Sequence, residues 1–475
     1  MIHTLFVTGM LFLISFQSFS KVPDRSDVVI VGAGLSGLTT AYELKKAGIK
    51  YHILELTPHI GGRVRTVTYK MNGETLLADS GMEEYWESNP AVKIIKELKL
   101  PLREDVAMSS IVLEGKKNEF IEDTQPQYVA KLFNEEERKA LETFKKTVSE
   151  LIPKIVKEPI DIETLKLKDI SFEDWVKKQN LPKKVAEWIR ISVECEAGTE
   201  WNAFGALDAI EELAIFLGDG ERSFRIINGN EIFTNALTKK IGRENISTNQ
   251  RVTKITTKDD VVTINYLDVT TNQSKTIKAS HVVTTIPLFR LNMEVQISPS
   301  MSEKKLEAIS TQTYGSYFKA HIFVPSSAST FWNKNGDSIL PFLTDSELGV
   351  IYDGNPDQKT KIKIVSLLIT GERAEGFNFM NQDQVREILK RSFERFWPGF
   401  SKEIIGMEFY RYHPRAIAGW PVGRSRFDEL SNEIRRPENR LYLAGDFTEG
   451  THSSGAINAA FRVVKQIKDA KKNKK

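Results

Sequence analysis

Residues 27–55 combine a strand, a glycine-rich turn, a helix and a second strand in one short stretch. Residues 27–31 form an apolar, β-branched run typical of a buried parallel strand, and the turn after it, G-A-G-L-S-G, matches G-x-G-x-x-G. The first glycine makes the tight turn, the second lets a pyrophosphate approach the backbone, and the third lets helix and strand pack closely. Free N–H groups at the helix N-terminus attract the phosphates. The pattern predicts a dinucleotide site formed by Gly32, Gly34, Leu35, Ser36 and Gly37.

Two features that follow this turn refine the prediction. Glu55 ends the second strand about 20 residues past the first glycine, where a carboxylate can accept the ribose hydroxyls. An acid at this place favours an unphosphorylated ribose, and therefore FAD or NAD rather than NADP. Gly62 and Arg63 belong to a glycine pair followed by arginine, which again suits close approach of an anion, and Arg63 can pair with the pyrophosphate. The alternative is a glycine turn with a surface arginine.

Composition restricts the class of protein. A chain of 475 residues is too long for one simple core, so two domains are expected. The net charge of +3 is small for this length and implies no nucleic-acid partner. Cys195 is the only cysteine, which excludes an internal disulfide, and we expect it to be a small buried residue. The sequence has no zinc-ligand spacing, P-loop or convincing hydrolase triad, and no metal site is predicted.

The first 20 residues differ from the rest of the chain. Residues 5–16 are mostly apolar but too short to span a bilayer, and Ser18 and Ser20 supply small residues at positions −3 and −1 of a cleavage site. This pattern predicts a signal peptide over residues 1–20 and a secreted or periplasmic protein. An uncleaved anchor is the alternative.

The glycine fingerprint, Glu55, the Gly-Gly-Arg segment at Arg63 and Asp79-x-Gly81, in this order, resemble the flavin-containing amine oxidase family. That family includes monoamine oxidases, polyamine oxidases and L-amino acid oxidases. The resemblance implies an FAD cofactor, with Gly81 and Met82 among its contacts. It also implies that the backbone of Val252 meets the adenine edge; residue type alone would make Val252 a core residue.

The C-terminal block supports FAD over NAD. A strand ends in Gly445-Asp446, and the acid can accept from a flavin ribityl or ribose hydroxyl. A small-residue helix follows, and the backbone of Gly455, Ala456 and Ile457 can donate to the flavin ring edge, helped by the helix dipole. Monoamine oxidases join the flavin to a cysteine at the place of Gly419. Glycine excludes covalent attachment by that route, so FAD is expected to bind non-covalently.

The resemblance also assigns two catalytic-site residues. Many family members carry a lysine at the position of Lys319 that holds a water beside flavin N5; in isolation, a solvent-facing or snorkelling lysine would be expected. Trp420 matches a position where family members place an aromatic against the substrate, and a core tryptophan is the alternative.

The implied fold is α/β. A Rossmann-like FAD-binding domain of glutathione-reductase type is expected over residues 22–100, 225–300 and 432–475. A discontinuous α+β substrate domain is expected over residues 101–224 and 301–431. The oligomeric state cannot be read from the sequence.

The chemistry implied is oxidation of an amine. Hydride passes from the substrate C–N carbon to flavin N5, water hydrolyses the imine, and oxygen is reduced to hydrogen peroxide. Amino acid oxidases usually carry an arginine shortly after the segment at Gly81, and here Glu84 lies there instead. We therefore expect a primary amine or polyamine rather than an amino acid, although Arg411 and Arg415 could grip a carboxylate from the other side.

Four further classes of protein compete with an amine oxidase. They are an L-amino acid oxidase, a desaturase or protoporphyrinogen-oxidase-like enzyme with a large apolar substrate, a non-catalytic flavoprotein, and an NAD-dependent dehydrogenase. The lysine at position 319 argues against the desaturase class.

Overall fold

The computed structural model describes residues 22–105, 109–121, 124–217, 222–412 and 415–472. The predicted signal peptide lies outside the described residues. Within them, no helix combines the length and apolar character that crossing a membrane requires.

The longest of the described strands lie in two large sheets. They are β1 (Arg25–Val31), β2 (Tyr51–Leu54), β3 (Thr66–Met71), β4 (Glu74–Asp79), β5 (Tyr85–Trp86), β6 (Leu102–Asp105), β7 (Ser110–Leu113), β8 (Lys116–Asn118), β9 (Ser223–Ile226), β10 (Ile246–Ser247), β11 (Gln250–Lys258), β12 (Val261–Asp268), β13 (Gln273–Thr284), β14 (Gln296–Ser298), β15 (Thr313–Gly315), β16 (Tyr317–Pro325), β17 (Asn333–Lys334), β18 (Asp337–Ser338), β19 (Phe342–Leu343), β20 (Val350–Asp353), β21 (Ile362–Thr370), β22 (Gly406–Arg411), β23 (Ile417–Gly419) and β24 (Leu441–Leu443).

The described α-helices lie between these strands. They are α1 (Leu35–Lys46), α2 (Pro90–Glu97), α3 (Gln125–Leu132), α4 (Glu135–Ile155), α5 (Ile162–Leu165), α6 (Phe172–Lys177), α7 (Lys183–Ala197), α8 (Ala206–Leu217), α9 (Glu231–Ile241), α10 (Leu288–Glu294), α11 (Glu303–Ser310), α12 (Gly371–Phe379), α13 (Gln382–Phe396), α14 (Glu429–Arg435), α15 (Asp446–Glu449) and α16 (His452–Lys472).

The first large sheet has the order β10-β2-β1-β13-β12-β11-β14, with β24 also paired to β13. β1 runs parallel to β2 on one side and to β13 on the other, so that Val29 lies opposite both His52 and Val282. Helices α1, α9 and α16 share an apolar core with these strands, and Ile30, Leu38 and Ile457 are fully buried in it. The predicted α/β class and the parallel βαβ unit at residues 27–55 are confirmed.

The second large sheet has the order β22-β16-β21-β20-β19-β7-β8. β16 lies between β21 and β22, antiparallel to both. Helices α3 to α8 are packed around a separate apolar core that includes Phe144, Trp188 and Ile210. The predicted substrate segments thus supply one sheet and one helical layer, while the domain boundaries stay predictions; the one drawn between residues 224 and 225 falls inside β9.

Candidate active site

The glycine-rich turn leaves no room for side chains. Gly32 has a φ of +106°, and a Cβ on Gly37 would lie 2.0 Å from the carbonyl oxygen of Gly32. Helix α1 begins at Leu35 with Gly34 as its N-cap, and no side chain caps it. The backbone N–H groups of its first turn are therefore directed at the space in front of the turn, as a phosphate site requires.

The second glycine pair packs on this turn. Gly61 forms an isolated parallel bridge with Gly34, and its N–H donates to Ala33 O at 2.8 Å. A Cβ on Gly62 would lie 3.1 Å from the Cα of Gly34. The structure thus brings together two motifs that the sequence separates, and the close approach leaves little room for a side chain at Gly62.

Glu55 lies at the end of β2, beside the same turn. One carboxylate oxygen accepts from the Ala33 N–H at 2.7 Å, and the other accepts from the N–H and hydroxyl of Thr57 at 2.9 and 2.8 Å. These bonds fix the carboxylate at the place predicted for a ribose acceptor. The ribose contact itself stays a prediction.

Arg63 and Asp446 pair with each other. The guanidinium donates to both carboxylate oxygens at 2.7 and 2.8 Å, and the Ala418 N–H donates to the same carboxylate at 3.1 Å. Burial alone would raise the pKa of Asp446, but the Arg63 charge and hydrogen bonds outweigh it and hold the pKa below its usual range.

This pair changes the interpretation of both residues. The Asp446 side chain is only 4% exposed, whereas the Arg63 side chain is 43% exposed. Asp446 is therefore placed to orient Arg63, whose side chain keeps exposed surface that a ligand could contact. The sequence analysis assigned Arg63 and Asp446 to separate contacts with the cofactor, because the sequence does not show that these two segments meet in the fold.

The remaining predicted cofactor residues lie where backbone approaches backbone. A Cβ on Gly81 would lie 1.8 Å from Arg63 O, the Met82 N–H donates to Arg63 O at 3.1 Å, and a Cβ on Gly455 would lie 1.6 Å from Gly450 O. Ala456 and Ile457 are buried in α16. Val252, 5% exposed in β11, belongs to an apolar cluster, so its backbone role stays a prediction.

Lys319 lies on β16 and is 1% exposed. Its ammonium donates to Asp79 O at 2.7 Å and Gly81 O at 2.9 Å, and it forms an ion pair with Glu83. An ammonium has three N–H donors, and these three acceptors match them. The burial excludes a solvent-facing lysine, and the role of holding a water beside flavin N5 stays a prediction.

Trp420 is buried rather than exposed at the site. Its side chain is 2% exposed, and the indole N–H donates to the hydroxyl of Ser431 in α14 at 3.0 Å. The structure places Trp420 in the core, as the alternative interpretation has it. The motif marked the right segment, but β23 ends at Gly419, and the next side chain packs towards α14 rather than towards the site.

An acid-rich group of side chains adjoins the segment after Gly81. Glu84 is half-buried; burial raises its pKa to about 7, against the opposing charge of Arg225 and with the support of Glu196. His452 has its Nε2 3.4 Å from Glu196 and its Nδ1 3.8 Å from Glu212. Burial alone would lower the pKa of His452, but these two acids raise it to about 9.

Sequence reasoning missed several members of this region. Glu83, Arg225, Glu196 and Glu212 come from four separate segments, and only their meeting in space distinguishes them from ordinary surface charges. No group of three His, Cys, Asp or Glu side chains among the described residues has a metal-binding arrangement.

The two arginines considered for a carboxylate clamp have other partners. Arg411 donates to the carbonyls of Phe377 and Met380. Arg415 lies over the ring of Phe289, 3.0 Å from its centroid. Cys195 donates to Ser192 O at 3.1 Å, and burial raises its thiol pKa well above the usual value, so it is no nucleophile.

The chain resembles known proteins along almost its whole length. The model of the family described as flavin containing amine oxidoreductase matches residues 35–468. A probable flavin-containing monoamine oxidase A from Dictyostelium discoideum is 24% identical over 94% of this chain and 99% of its own length. An L-amino-acid oxidase from Daboia russelii is 23% identical over 92% of this chain and 88% of its own length.

A solved structure shares the fold. It is a wild-type putrescine oxidase bound to putrescine, which superposes with a TM-score of 0.79 at 19% identity and covers 93% of this chain and 99% of its own. At this identity the likeness establishes the arrangement of strands and helices described above.

Proposed function

The chain belongs to the flavin-containing amine oxidoreductase family, and from that premise we propose that it is an FAD-dependent oxidase of cationic amines. Family membership makes it a flavin-dependent oxidoreductase that acts on amines. The observation that carries the finer proposal is the acid-rich group at Glu84, which directly follows the cofactor-side residues Gly81 and Met82.

The residues present fit FAD. Two glycine motifs form a cradle in which a Cβ on Gly37 or Gly62 would be crowded by backbone, with the open N-terminus of α1 for the pyrophosphate and Glu55 for a ribose. Arg63, oriented by Asp446, supplies positive charge on the same side. Bound FAD would accept a hydride from the substrate carbon that carries nitrogen and would pass the electrons to oxygen, giving hydrogen peroxide. Gly419 leaves the binding non-covalent at that position.

The proposed substrate class rests on the charged side chains around Glu84. Glu84 lies at the position where an amino acid oxidase needs a cation, and Glu196 is near enough to raise the Glu84 pKa. An ionised Glu84 attracts an ammonium group and repels a carboxylate. Arg225, which also faces Glu84, pairs with Glu83 and Asp105. These contacts favour a simple amine or a polyamine over an L-amino acid, even though L-amino-acid oxidases are among the relatives.

A desaturase-like enzyme and a non-catalytic flavoprotein have less support than an amine oxidase. A desaturase-like enzyme needs an apolar cavity, which the charges of Glu84, Glu196 and His452 oppose. A non-catalytic flavoprotein would need no such group beside the cofactor residues.

The cofactor and the overall activity can be tested together. We expect the purified protein to be yellow, to release all of its flavin as FAD on heat denaturation, and to form hydrogen peroxide when given an amine in air. Flavin that stays attached to the denatured chain would contradict non-covalent binding. A protein that cannot be loaded with FAD would contradict the proposal as a whole.

A further inference from the structure

A buried chain of four charges connects β16 with the strands behind the site. Lys319 pairs with one oxygen of Glu83, Arg225 lies 3.4 Å from the other oxygen, and Arg225 Nε lies 2.6 Å from Asp105. The side chains of Lys319, Glu83 and Arg225 are 1, 9 and 11% exposed. Charges so far from water persist only when each has a partner, so the four residues act as one unit.

Glu83 is the centre of this unit. Burial alone would raise its pKa, but the charges of Lys319 and Arg225 lower it, so Glu83 is ionised at neutral pH. Its own backbone is also fixed, because Asn230 Nδ2 donates to Glu83 O at 2.7 Å and to Met82 O at 3.0 Å. The carboxylate therefore has a fixed position between two cations.

The unit reaches the cofactor cradle through two backbone contacts. Lys319 donates to Gly81 O, and the backbone of Gly81 packs directly on Arg63, whose guanidinium is held by Asp446. Gly81 thus lies between the Lys319 ammonium and the backbone of Arg63, the residue that pairs with Asp446. In a low-dielectric interior, a charge beside the cradle acts on a bound cofactor even without touching it.

We propose that Glu83, itself held by Arg225, is a positioning residue that fixes the Lys319 ammonium against the carbonyls of Asp79 and Gly81 and compensates its charge, so that the Glu83–Lys319 pair sets the reduction potential of the bound flavin. This inference rests on the proposed function, because it needs FAD in the cradle. It gives Lys319 an electrostatic role besides the predicted water-holding one, and it adds Glu83 and Arg225 to the residues that shape the site.

The test is the midpoint potential of bound FAD in Glu83→Gln, in Lys319→Met and in the double variant, measured against reference dyes. Reduced flavin carries one more negative charge than oxidised flavin. Glu83→Gln leaves a positive charge uncompensated and should raise the potential; Lys319→Met leaves a negative charge and should lower it. The double variant should return close to wild type, because removing both partners restores neutrality.

The pH of the measurement matters because Asp79 is close by. Burial, with a contribution from the Glu83 charge, raises the Asp79 pKa to about 7, so removal of Glu83 could let Asp79 ionise and mask the change. At pH 8.5 Asp79 is ionised in wild type and in Glu83→Gln. Lys319→Met removes a charge that lowers the Asp79 pKa, so the potential of this variant is measured at pH 8.5 and again at a higher pH. Glu83→Asp keeps the charge and should shift the potential less than Glu83→Gln does.

Glu87→Gln is the matched control, since Glu87 lies on the same segment but is exposed and pairs with Arg222. It should leave the potential unchanged. Shifts of the same sign in Glu83→Gln and Lys319→Met, or no shift in either, would overturn the inference, because general loosening of the site moves both variants alike. The proposed function would survive that result if wild type still binds FAD and oxidises amines.

Discussion

Burial and charge act against each other at Glu84. Burial disfavours the carboxylate and raises its pKa to about 7, with Arg225 opposing and Glu196 adding to the rise. A pKa above the ordinary value means that the protonated acid is favoured in the folded state below pH 7. The negative charge that attracts a cationic amine is therefore present only as pH rises through about 7.

Glu84→Gln should lower kcat/KM for a cationic amine about 10- to 100-fold, since a hydrogen bond to a charged group contributes about 1.5–3 kcal/mol. In the wild-type pH profile of kcat/KM we expect a rising limb near pH 7, and the variant should lack it. Steady-state rates from pH 5.5 to 9 with one amine check both points.

Glu87→Gln serves as the control for this substitution, because its exposed side chain pairs with Arg222 at the surface. A rising limb that persists unchanged in Glu84→Gln would assign the titration to another group. In that case Glu84 would not be the amine-binding acid.

Single residues also show what the sequence could and could not predict. Lys319 was assigned to the site by the family resemblance, but its partners were not predicted, since Glu83 and Arg225 lie on segments far apart in the chain. The burial of Trp420 against Ser431 could not be predicted either, because a motif fixes a position along the chain and not the direction of a side chain; its contact with the substrate stays a prediction. Arg63 and Asp446 were both found, but their pairing needs the folded chain.

At the level of elements, backbone crowding determines the cofactor cradle. Within the turn before α1 a Cβ on Gly37 would clash with Gly32 O, and a Cβ on Gly62 would crowd the Cα of Gly34. The strand–turn–helix pattern predicted β1, α1 and β2 correctly, since one apolar run and three glycines define it locally. The segment around Lys319 forms two strands, β15 and β16, separated at Ser316, because β15 pairs with β23 rather than with β21.

Gly37→Ala should abolish tight FAD binding, because its Cβ would lie 2.0 Å from Gly32 O and only a shift of α1 or of the turn can relieve the clash. We expect a folded protein that is purified largely colourless, with FAD affinity lowered at least tenfold. Fluorescence titration of the apoprotein with FAD measures this affinity.

Gly376→Ala in α12 is the corresponding control, since the nearest atom to its added Cβ is Met380 Cε at 4.0 Å. This variant should bind FAD like wild type. Wild-type affinity in Gly37→Ala would contradict the assignment of the turn to the cofactor.

At the level of the whole molecule, the site joins both ends of the described chain. β1 and β24 flank β13 in one sheet, and Arg63 meets Asp446 across it. The helical layer of α3 to α8 reaches the same place through Glu196 and Glu212, which lie against His452 at the start of α16. The sequence predicted the FAD-binding and substrate-domain segments. It could not show that these segments converge on one group of charged side chains.

FAD should therefore stabilise the whole chain and not only one part. A ligand that binds only the native state at 100 times its Kd adds about 2.7 kcal/mol to the free energy of unfolding. We expect a single melting transition that moves to higher temperature when apoprotein is given excess FAD. Two transitions, of which FAD shifts one, would indicate independent domains.

Processing of the N-terminus is a separate prediction about the intact chain. We propose that residues 1–20 are removed on export, so that the mature protein begins at Lys21. Intact-mass analysis of protein from a secreting host measures this directly. A mass that retains these residues would favour the uncleaved anchor.

The most direct test of the central claim is an anaerobic visible spectrum of the holoprotein, titrated with simple amines, polyamines and L-amino acids. The account predicts that the flavin band is lost with a cationic amine or polyamine, is not lost with L-amino acids, and returns with hydrogen peroxide when air is admitted. Loss of the band with L-amino acids alone, or with no amine at all, would contradict it.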